Sequence, residues 1–340
     1  MWIMILLIVC VLLAFIATKS KKDNKILQRC KDGKYFYETV EETLHREKTT
    51  KIIRYVICYT FLGVLAICMI MPFYWMIITS LKSDAEISLT YPTFFPHHFE
   101  WDNYRYIFDG KFQRAESKIT NPNAPLRFDL WRYMYNTLIV GIFSTIGTLV
   151  TTVMAAFAFS RIKFPGRELI FTVFLATMMI PGEMMVITNF ITVSKLKGMN
   201  TYWAMIVPFL ISVYYIYLLR QNFRQIPDEL YYAAKVDGTS NFKYLMRIMV
   251  PIAMPTLITI TILKLMGSWN AYVWPMMVTN KADMRLITTG LRTGFSDNEG
   301  RSAQGRQMAA AFAVTAPLLV VFICLRKYIM RGVSRSGIKG

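Results

Sequence analysis

Two ionisable residues stand inside long apolar stretches of this 340-residue chain: Glu183 interrupts Leu169–Ser194, and Lys264 interrupts Ile252–Asn280. A charge is costly in hydrocarbon, so each is a candidate functional group or sits where it escapes lipid. Glu183 follows Met178-Met179-Ile180-Pro181-Gly182, where Pro and Gly kink or unwind a helix and free its backbone groups. Its carboxyl either serves the function or marks the outer boundary of the span. Lys264 lies deeper; it either snorkels inward, pairs with an acid, or lines a pathway or interface, the last being preferred. Asn270, beside Trp269, can hydrogen-bond across helices, and Trp274 reads as an anchor near the outer interface. Other chemistry is missing. No G-x-x-x-x-G-K-[ST] motif is present, so the chain has no P-loop for ATP. The histidines are His45, His97 and His98, and a His-His pair in a loop is weak metal evidence. Four of the five cysteines (Cys10, Cys58, Cys68, Cys324) lie in apolar runs and Cys30 in a polar one, so no disulfide is expected.

The elements that must position these residues are membrane helices. The chain is 54% hydrophobic, and its apolar residues gather in seven runs: Trp2–Thr18, Tyr55–Leu81, Tyr133–Ser160, Leu169–Ser194, Met199–Leu219, Ile252–Asn280 and Gln307–Leu325. Most exceed the roughly 20 residues a bilayer core requires, which predicts an all-α polytopic membrane protein. The net charge of +18 would suit nucleic acid, but the charges fill the gaps between runs and read as topology signals. With residues 19–54 placed inside, inner segments hold 24 Lys and Arg against 14 outside, as the positive-inside rule requires. The first run has no basic residue before it, so it reads as a retained helix rather than a cleaved signal, with the N-terminus outside and the C-terminus cytoplasmic. The domain reading is therefore an extra N-terminal helix (1–18), a mixed-charge cytoplasmic linker (19–54), a transmembrane domain (55–330) and a cytoplasmic tail (331–340).

Between the fifth and sixth runs lies the polar interval 226–255, IPDELYYAAKVDGTSNFKYLMRIMVPIAMP. Pro227 with Asp228 and Glu229 suits a helix start. Leu230, Ala233, Ala234 and Val236 would form its apolar side, and Asp237-Gly238 would end it. Thr239 or Ser240 can cap a second helix, whose apolar residues Phe242, Leu245, Met246 and Met249 recur at helical spacing. The object is a helix-turn-helix elbow projecting into water. It resembles the EAA loop of ABC importer permeases: Ala233, Ala234, Gly238, Ile248, Val250 and Pro251 stand in register, and Asp237 precedes the glycine. Tyr232 departs from the pattern, standing where the family usually has Glu; Glu229, a turn earlier, can partly replace it.

Further segments carry the same resemblance. Ala155–Glu168 (AAFAFSRIKFPGRE) resembles a turn of sugar permeases, and Pro165-Gly166 makes it tight. Ser80-Leu81-Lys82, Glu86 and Asn103-Tyr104 resemble an extracytoplasmic loop of carbohydrate-type permeases. Their segment 82–131 is read equally as a contact for a binding protein and as a packed loop with an aromatic belt. The Met-Ile-Pro stretch, Trp269–Pro275, Arg331-Gly332 and the terminal Gly337-Ile338-Lys339-Gly340 also match. In the third run Gly141, Thr145, Thr148, Thr152 and Ala155 form a small-residue face that suits packing within the subunit or against a second one. The resemblance implies a six-helix type I importer core plus the extra helix. It implies a permease subunit, not an enzyme, that carries a carbohydrate, with an oligosaccharide preferred. Implied partners are a homologous second permease, an ABC ATPase dimer holding ATP and Mg, an extracytoplasmic solute-binding protein and lipid. No cofactor and no nucleic acid are expected on this chain. Expected coupling residues are Glu229, Tyr232, Ala233, Ala234, Asp237, Gly238, Ile248 and Pro251. Pathway candidates are Asn189, Lys264, Trp269 and Asn270; with Thr188 they offer aromatic faces and amide or hydroxyl partners for a sugar. A secondary transporter, or an importer of a non-sugar solute such as glycerol phosphate, is the alternative.

Overall fold

The computed structural model describes residues 40–116, 128–295 and 304–334, which are helical and contain no strand. The run Trp2–Thr18, residues 19–39 of the linker, Pro122, Pro125 and the terminal residues 337–340 lie outside the described residues. In chain order the α-helices are α1 (Val40–Ser80), α2 (Asp84–Ile87), α3 (Asp102–Phe108), α4 (Gly110–Glu116), α5 (Leu130–Arg161), α6 (Arg167–Thr177), α7 (Met185–Lys195), α8 (Tyr202–Ile206), α9 (Val213–Arg224), α10 (Asp228–Val236), α11 (Asn241–Tyr244), α12 (Val250–Ile252), α13 (Met254–Trp269), α14 (Val273–Val278), α15 (Ile287–Gly294) and α16 (Gln304–Ser334).

The chain divides into two compact units, Met1–Met71 and Pro72–Gly340. The described part of the first is the beginning of α1. Its side chains Ile52, Tyr55, Val56, Tyr59, Leu62, Ile67 and Ile70 are all exposed, so it is apolar around its circumference. Such a helix is stable when hydrocarbon is the solvent.

In the second unit α5 is the central element. Asp129 caps it, accepting from the Arg132 N–H at 3.1 Å. It ends at Arg161, where Ile162 turns extended and Gly166 (φ +76°) completes the Pro165-Gly166 turn. Residues of α5 enter all four apolar clusters of the unit: Leu130 and Tyr133, Val140, Ala156 and Phe157, and Phe159. Gly141, Thr145, Thr148 and Thr152 are buried within this chain, so the small-residue face is spent on α13 and α9. A Cβ on Gly141 would touch Leu265 and Ser268 of α13 at 3.7 and 3.8 Å.

Among the described residues three helices are long and apolar enough to span a membrane: Thr49–Ser80, Leu130–Arg161 and Gln304–Cys324. Three bent helix pairs are also long and apolar enough, each as a broken span or a re-entrant loop: α6 with 182–195 (78°), 202–209 with α9 (47°), and 241–252 with α13 (79°). The expected break at Pro181-Gly182 is present as a 3₁₀ turn over Gly182–Met184. Glu183 sits in this turn, exposed, at the bend between α6 and α7. The fifth and sixth runs are not the continuous helices expected. Residues 207–212 break the fifth, and the bend at Ala253 sets the end of the elbow against the start of the sixth. The sixth stops at Trp269 and resumes as α14.

At the Leu130 end of α5, buried polar side chains tie the loops down. Asn136 is fully buried; its amide N–H groups reach the carbonyls of Asp283 (2.8 Å) and Arg285 (3.0 Å), and its oxygen accepts from Tyr202 (2.7 Å). This satisfies a buried amide that would otherwise be costly.

Candidate functional site

The elbow forms for the reasons its residues suggest. Pro227 is the N-cap of α10, and Asp228 and Glu229 occupy its first turn. The helix ends in a Schellman-type closure: Thr239 N–H reaches the Ala234 carbonyl at 2.8 Å, with Gly238 at φ +69°. A Cβ on Gly238 would meet nothing, so a branched residue there is opposed by conformation, not by space. Ser240 caps α11, accepting from Lys243 N–H at 3.3 Å, and a π-helical turn over Leu245–Met249 leads into α12.

The chain covers some of the elbow's apolar residues and leaves others bare. Ile226, Ala234, Tyr244, Leu245 and Met249 are buried with α5, α9 and α13, and Ile248 and Val250 pack against them. Leu230, Ala233 and Val236 of the expected apolar side of α10 are exposed, Val236 by 88%. Phe242 (63% exposed) and Met246 are also bare. Glu229, Tyr232, Asp237 and Pro251 are exposed too. The elbow therefore has a buried base and an apolar outer face with nothing on it.

Two buried arginines fasten the base. Arg161, at the end of α5, pairs with Asp228 and donates to the carbonyls of Phe223 (2.9 Å) and Ile226. Arg220 of α9 donates to both carboxylate oxygens of Glu168 (2.8 and 2.7 Å) and to the Phe159 carbonyl (3.0 Å), with its guanidinium 3.9 Å from the Phe171 ring centroid. Reaching a carbonyl through Nε and a carboxylate through Nη2 while stacking on a ring is what the planar guanidinium offers and ammonium does not. In the sequence Arg161 is only a topology charge, because its partners are backbone groups more than sixty residues away.

No hydrogen bond among the described residues joins the pathway candidates to one another. Asn189 is half-buried, and Thr188 is exposed. Asn270 does not bond across helices: its Nδ2 turns back to the Met266 carbonyl at 3.0 Å and caps its own helix. Trp269 is half-buried, with a buried Nε1 that has no partner. Trp274 is buried, donating to the Ala204 carbonyl at 3.0 Å. Lys264 is half-buried and donates to the Phe209 carbonyl at 3.0 Å. That carbonyl is released by the break at 207–212; Thr148 also donates to it (3.3 Å), and Thr151 to the Leu210 carbonyl (2.7 Å).

The segment after α1 is built on a polar knot. The Asn103 amide donates to the carbonyls of Ser80 (3.0 Å) and Lys82 (3.1 Å), and the hydroxyls of Ser80 and Tyr104 share a 2.7 Å bond. Lys82 donates to the Thr93 carbonyl, and Glu86 accepts from the Thr93 hydroxyl and the His97 N–H. Burial opposes ionisation of Glu86, but these donors and the Lys82 and His97 charges hold its carboxyl below the ordinary 4.5. A depressed carboxyl stabilises the fold above its unfolded value and loses that contribution as pH falls through the folded one. Protection of residues 82–108 from proteolysis should therefore persist at about pH 5 and fail well below it. Glu86→Gln should be less protected at neutral pH with a flatter acid profile. Identical profiles for the two proteins would remove Glu86 from this role.

The sequence of residues 147–335 matches the family model of the binding-protein-dependent transport system inner membrane component. The chain belongs to this family. It is 27% identical over 283 residues to the arabinooligosaccharides transport system permease protein AraQ of Bacillus subtilis, covering 82% of this chain and 94% of that one. It is 24% identical to the sn-glycerol-3-phosphate transport system permease protein UgpE of Yersinia enterocolitica (83% and 96% covered). It is 28% identical to the inner membrane ABC transporter permease protein YcjP of Escherichia coli (83% and 95% covered). The fold is also that of a chain in the crystal structure of a bacterial ABC transporter involved in the import of the acidic polysaccharide alginate. That match has a TM-score of 0.69 at 21% identity and covers 87% of this chain and 99% of the other. The chain is thus a multi-pass membrane permease component of a binding-protein-dependent ABC importer.

Proposed function

We propose that this permease forms half of a transmembrane pathway for a carbohydrate and docks a cytoplasmic ATPase through residues 226–255. The observation that carries the docking is the elbow itself. Its base is buried against three spans, while Leu230, Val236, Phe242 and Met246 stay exposed in a polar interval that lipid does not cover. An apolar patch in that position is covered by a partner. Glu229, Tyr232, Ala233 and Asp237 line the same outer side and would meet the ATPase, which holds ATP and Mg; Ala234, Gly238, Ile248 and Pro251 shape the elbow behind them. The basic excess on inner segments supports a cytoplasmic elbow and C-terminus and an N-terminus outside. The knot after α1 then lies outside, where a solute-binding protein would reach it. A second, homologous permease completes the pathway. The sugar class is supported by AraQ, whose name states arabinooligosaccharide transport, with UgpE leaving a phosphorylated polyol as the alternative.

The test is Phe242→Asp together with Val236→Asp in the co-expressed importer. Each places a charge on the bare face without touching the buried base. We expect ATPase recovered with the permease to fall about tenfold, the scale of losing one interface anchor. Uptake should fall with it, at unchanged permease levels. Undiminished ATPase recovery in the double variant would rule this face out.

A further inference from the structure

Lys264 stands ten residues after the start of α13, within a membrane-spanning pair. Its ammonium has three donors, and one of them is used, on the Phe209 carbonyl. Among the described residues no ion pair involves Lys264. Snorkelling does not explain it. The side chain is tied sideways to the break in the neighbouring span instead of running along α13 toward an interface. Facing lipid does not explain it either, since a lysine at mid-span costs about 2.5–3.5 kcal/mol even by the gentlest scale.

The surface beside it is open. A Cβ on Gly267, about one turn further along, would meet no atom within 4 Å. Leu263, Met266 and Asn270 on that side are exposed, and the Asn270 amide uses its N–H on the Met266 carbonyl, leaving its oxygen uncommitted. The result is a strip with an ammonium at one end, a bare glycine in the middle and an amide acceptor at the other. The Phe209 carbonyl, which also accepts from the Thr148 hydroxyl, fixes the ammonium from behind.

We propose that Lys264 is the anion-recognising residue of the transport pathway, and that the solute is an anionic carbohydrate bearing a carboxylate or a phosphate. This rests on the carbohydrate-import reading above and narrows it. The ammonium supplies a point charge and two free donors to one carboxylate or phosphate oxygen at a time. Asn270 accepts from a sugar hydroxyl a turn and a half away. A lone lysine, without the planar fork of an arginine, holds an anion weakly enough to release it, which a transport path requires.

The experiment uses the whole importer in its own cell, with the chromosomal copy of this permease deleted and wild type, Lys264→Gln or Lys264→Arg restored. Labelled trigalacturonate, sn-glycerol 3-phosphate and neutral arabinotriose are offered separately. We expect uptake of at least one of the two anions to depend on this chain. Lys264→Gln should cut that uptake about tenfold, and Lys264→Arg should keep most of it. Which anion responds separates the carboxylate from the phosphate. Arabinotriose entering equally well through wild type and Lys264→Gln, with neither anion carried, overturns the proposal and leaves sugar import standing. So does loss of the second permease from the purified Lys264→Gln complex, which would assign the ammonium to a carboxylate of that subunit. Uptake of none of the three depending on this chain sinks the carbohydrate reading itself.

Discussion

Arg161→Met should leave little folded protein after mild heating in detergent, whereas Asp228→Asn should melt close to wild type. The two residues form one ion pair, yet their surroundings differ: the Arg161 side chain is 4% exposed and that of Asp228 is 69% exposed. An ion pair with one partner in water contributes about 0–1 kcal/mol, so removing the Asp228 charge changes little. Arg161 does more than pair. It donates to the Phe223 and Ile226 carbonyls, where α9 ends and the chain turns into α10. Methionine fills the space but donates nothing, and each buried acceptor left unmet costs about 1–3 kcal/mol. The Phe223 carbonyl keeps the Ile226 N–H at 3.3 Å, so the combined loss is about 2–4 kcal/mol. Size-exclusion recovery after a temperature ramp measures both variants side by side. Equal destabilisation by the two would mean that the charge pair, and not the carbonyl capping, holds the elbow.

Gly290→Ala should be comparably damaging for the opposite reason, too much matter. A Cβ on Gly290 would stand 2.9 Å from the Cγ of Tyr133 and closer still to two other ring atoms. Real side chains do not approach that closely, so the ring or α15 has to move. The ring has nowhere to go: Tyr133 is 1% exposed, edge-on to Phe128 at 5.7 Å, and packed in the cluster of Leu130, Ile287 and Ala310. Overpacking of this kind costs about 1–3 kcal/mol and sometimes more. Gly63, in the apolar part of α1, is the control, because a Cβ there meets nothing. We expect Gly63→Ala to melt with wild type and Gly290→Ala several degrees below it, by roughly 4 °C for each kcal/mol or less in a chain of this size. Coincident melting of the two would show that α15 can shift to accommodate a methyl.

The residues that announced themselves in the sequence are those whose local chemistry decides local structure. Pro227, Gly238 and Ser240 fix the elbow's start, reversal and restart from within a dozen residues, and all three act as their types demand. Pro181-Gly182 likewise breaks its span. The break at 207–212 has a signal that the expectation of a continuous fifth helix overlooks, Pro208 within the run and Ser212 as the cap of α9; what the sequence hides is that its carbonyls are satisfied by Thr148, Thr151 and Lys264 from other spans. That Phe242, Met246, Leu230 and Val236 are left bare was not legible for a different reason. Helical spacing reports that a surface is apolar, and it does not say whether the chain's own core covers it. Arg161 and Arg220 were read as charge where they act as donors, since hydrogen bonds to distant backbone carry no signature in side-chain type.

The satisfied break at 207–212 also constrains how the protein is made. An open carbonyl in hydrocarbon costs several kcal/mol, so a helix broken there is a poor passenger in lipid on its own. When residues 202–224 leave the ribosome, α5 has already been synthesised, and its Thr148 and Thr151 hydroxyls are the donors at hand. The remaining donor, Lys264, is encoded 55 residues after Phe209. Until α13 arrives, the Phe209 carbonyl has only the longer Thr148 contact at 3.3 Å. The biosynthetic intermediate is therefore a pair of spans held together by hydroxyls and waiting for an ammonium. Arrested chains that end before Lys264 should stay beside the insertion machinery, and chains that include it should move away into the bilayer.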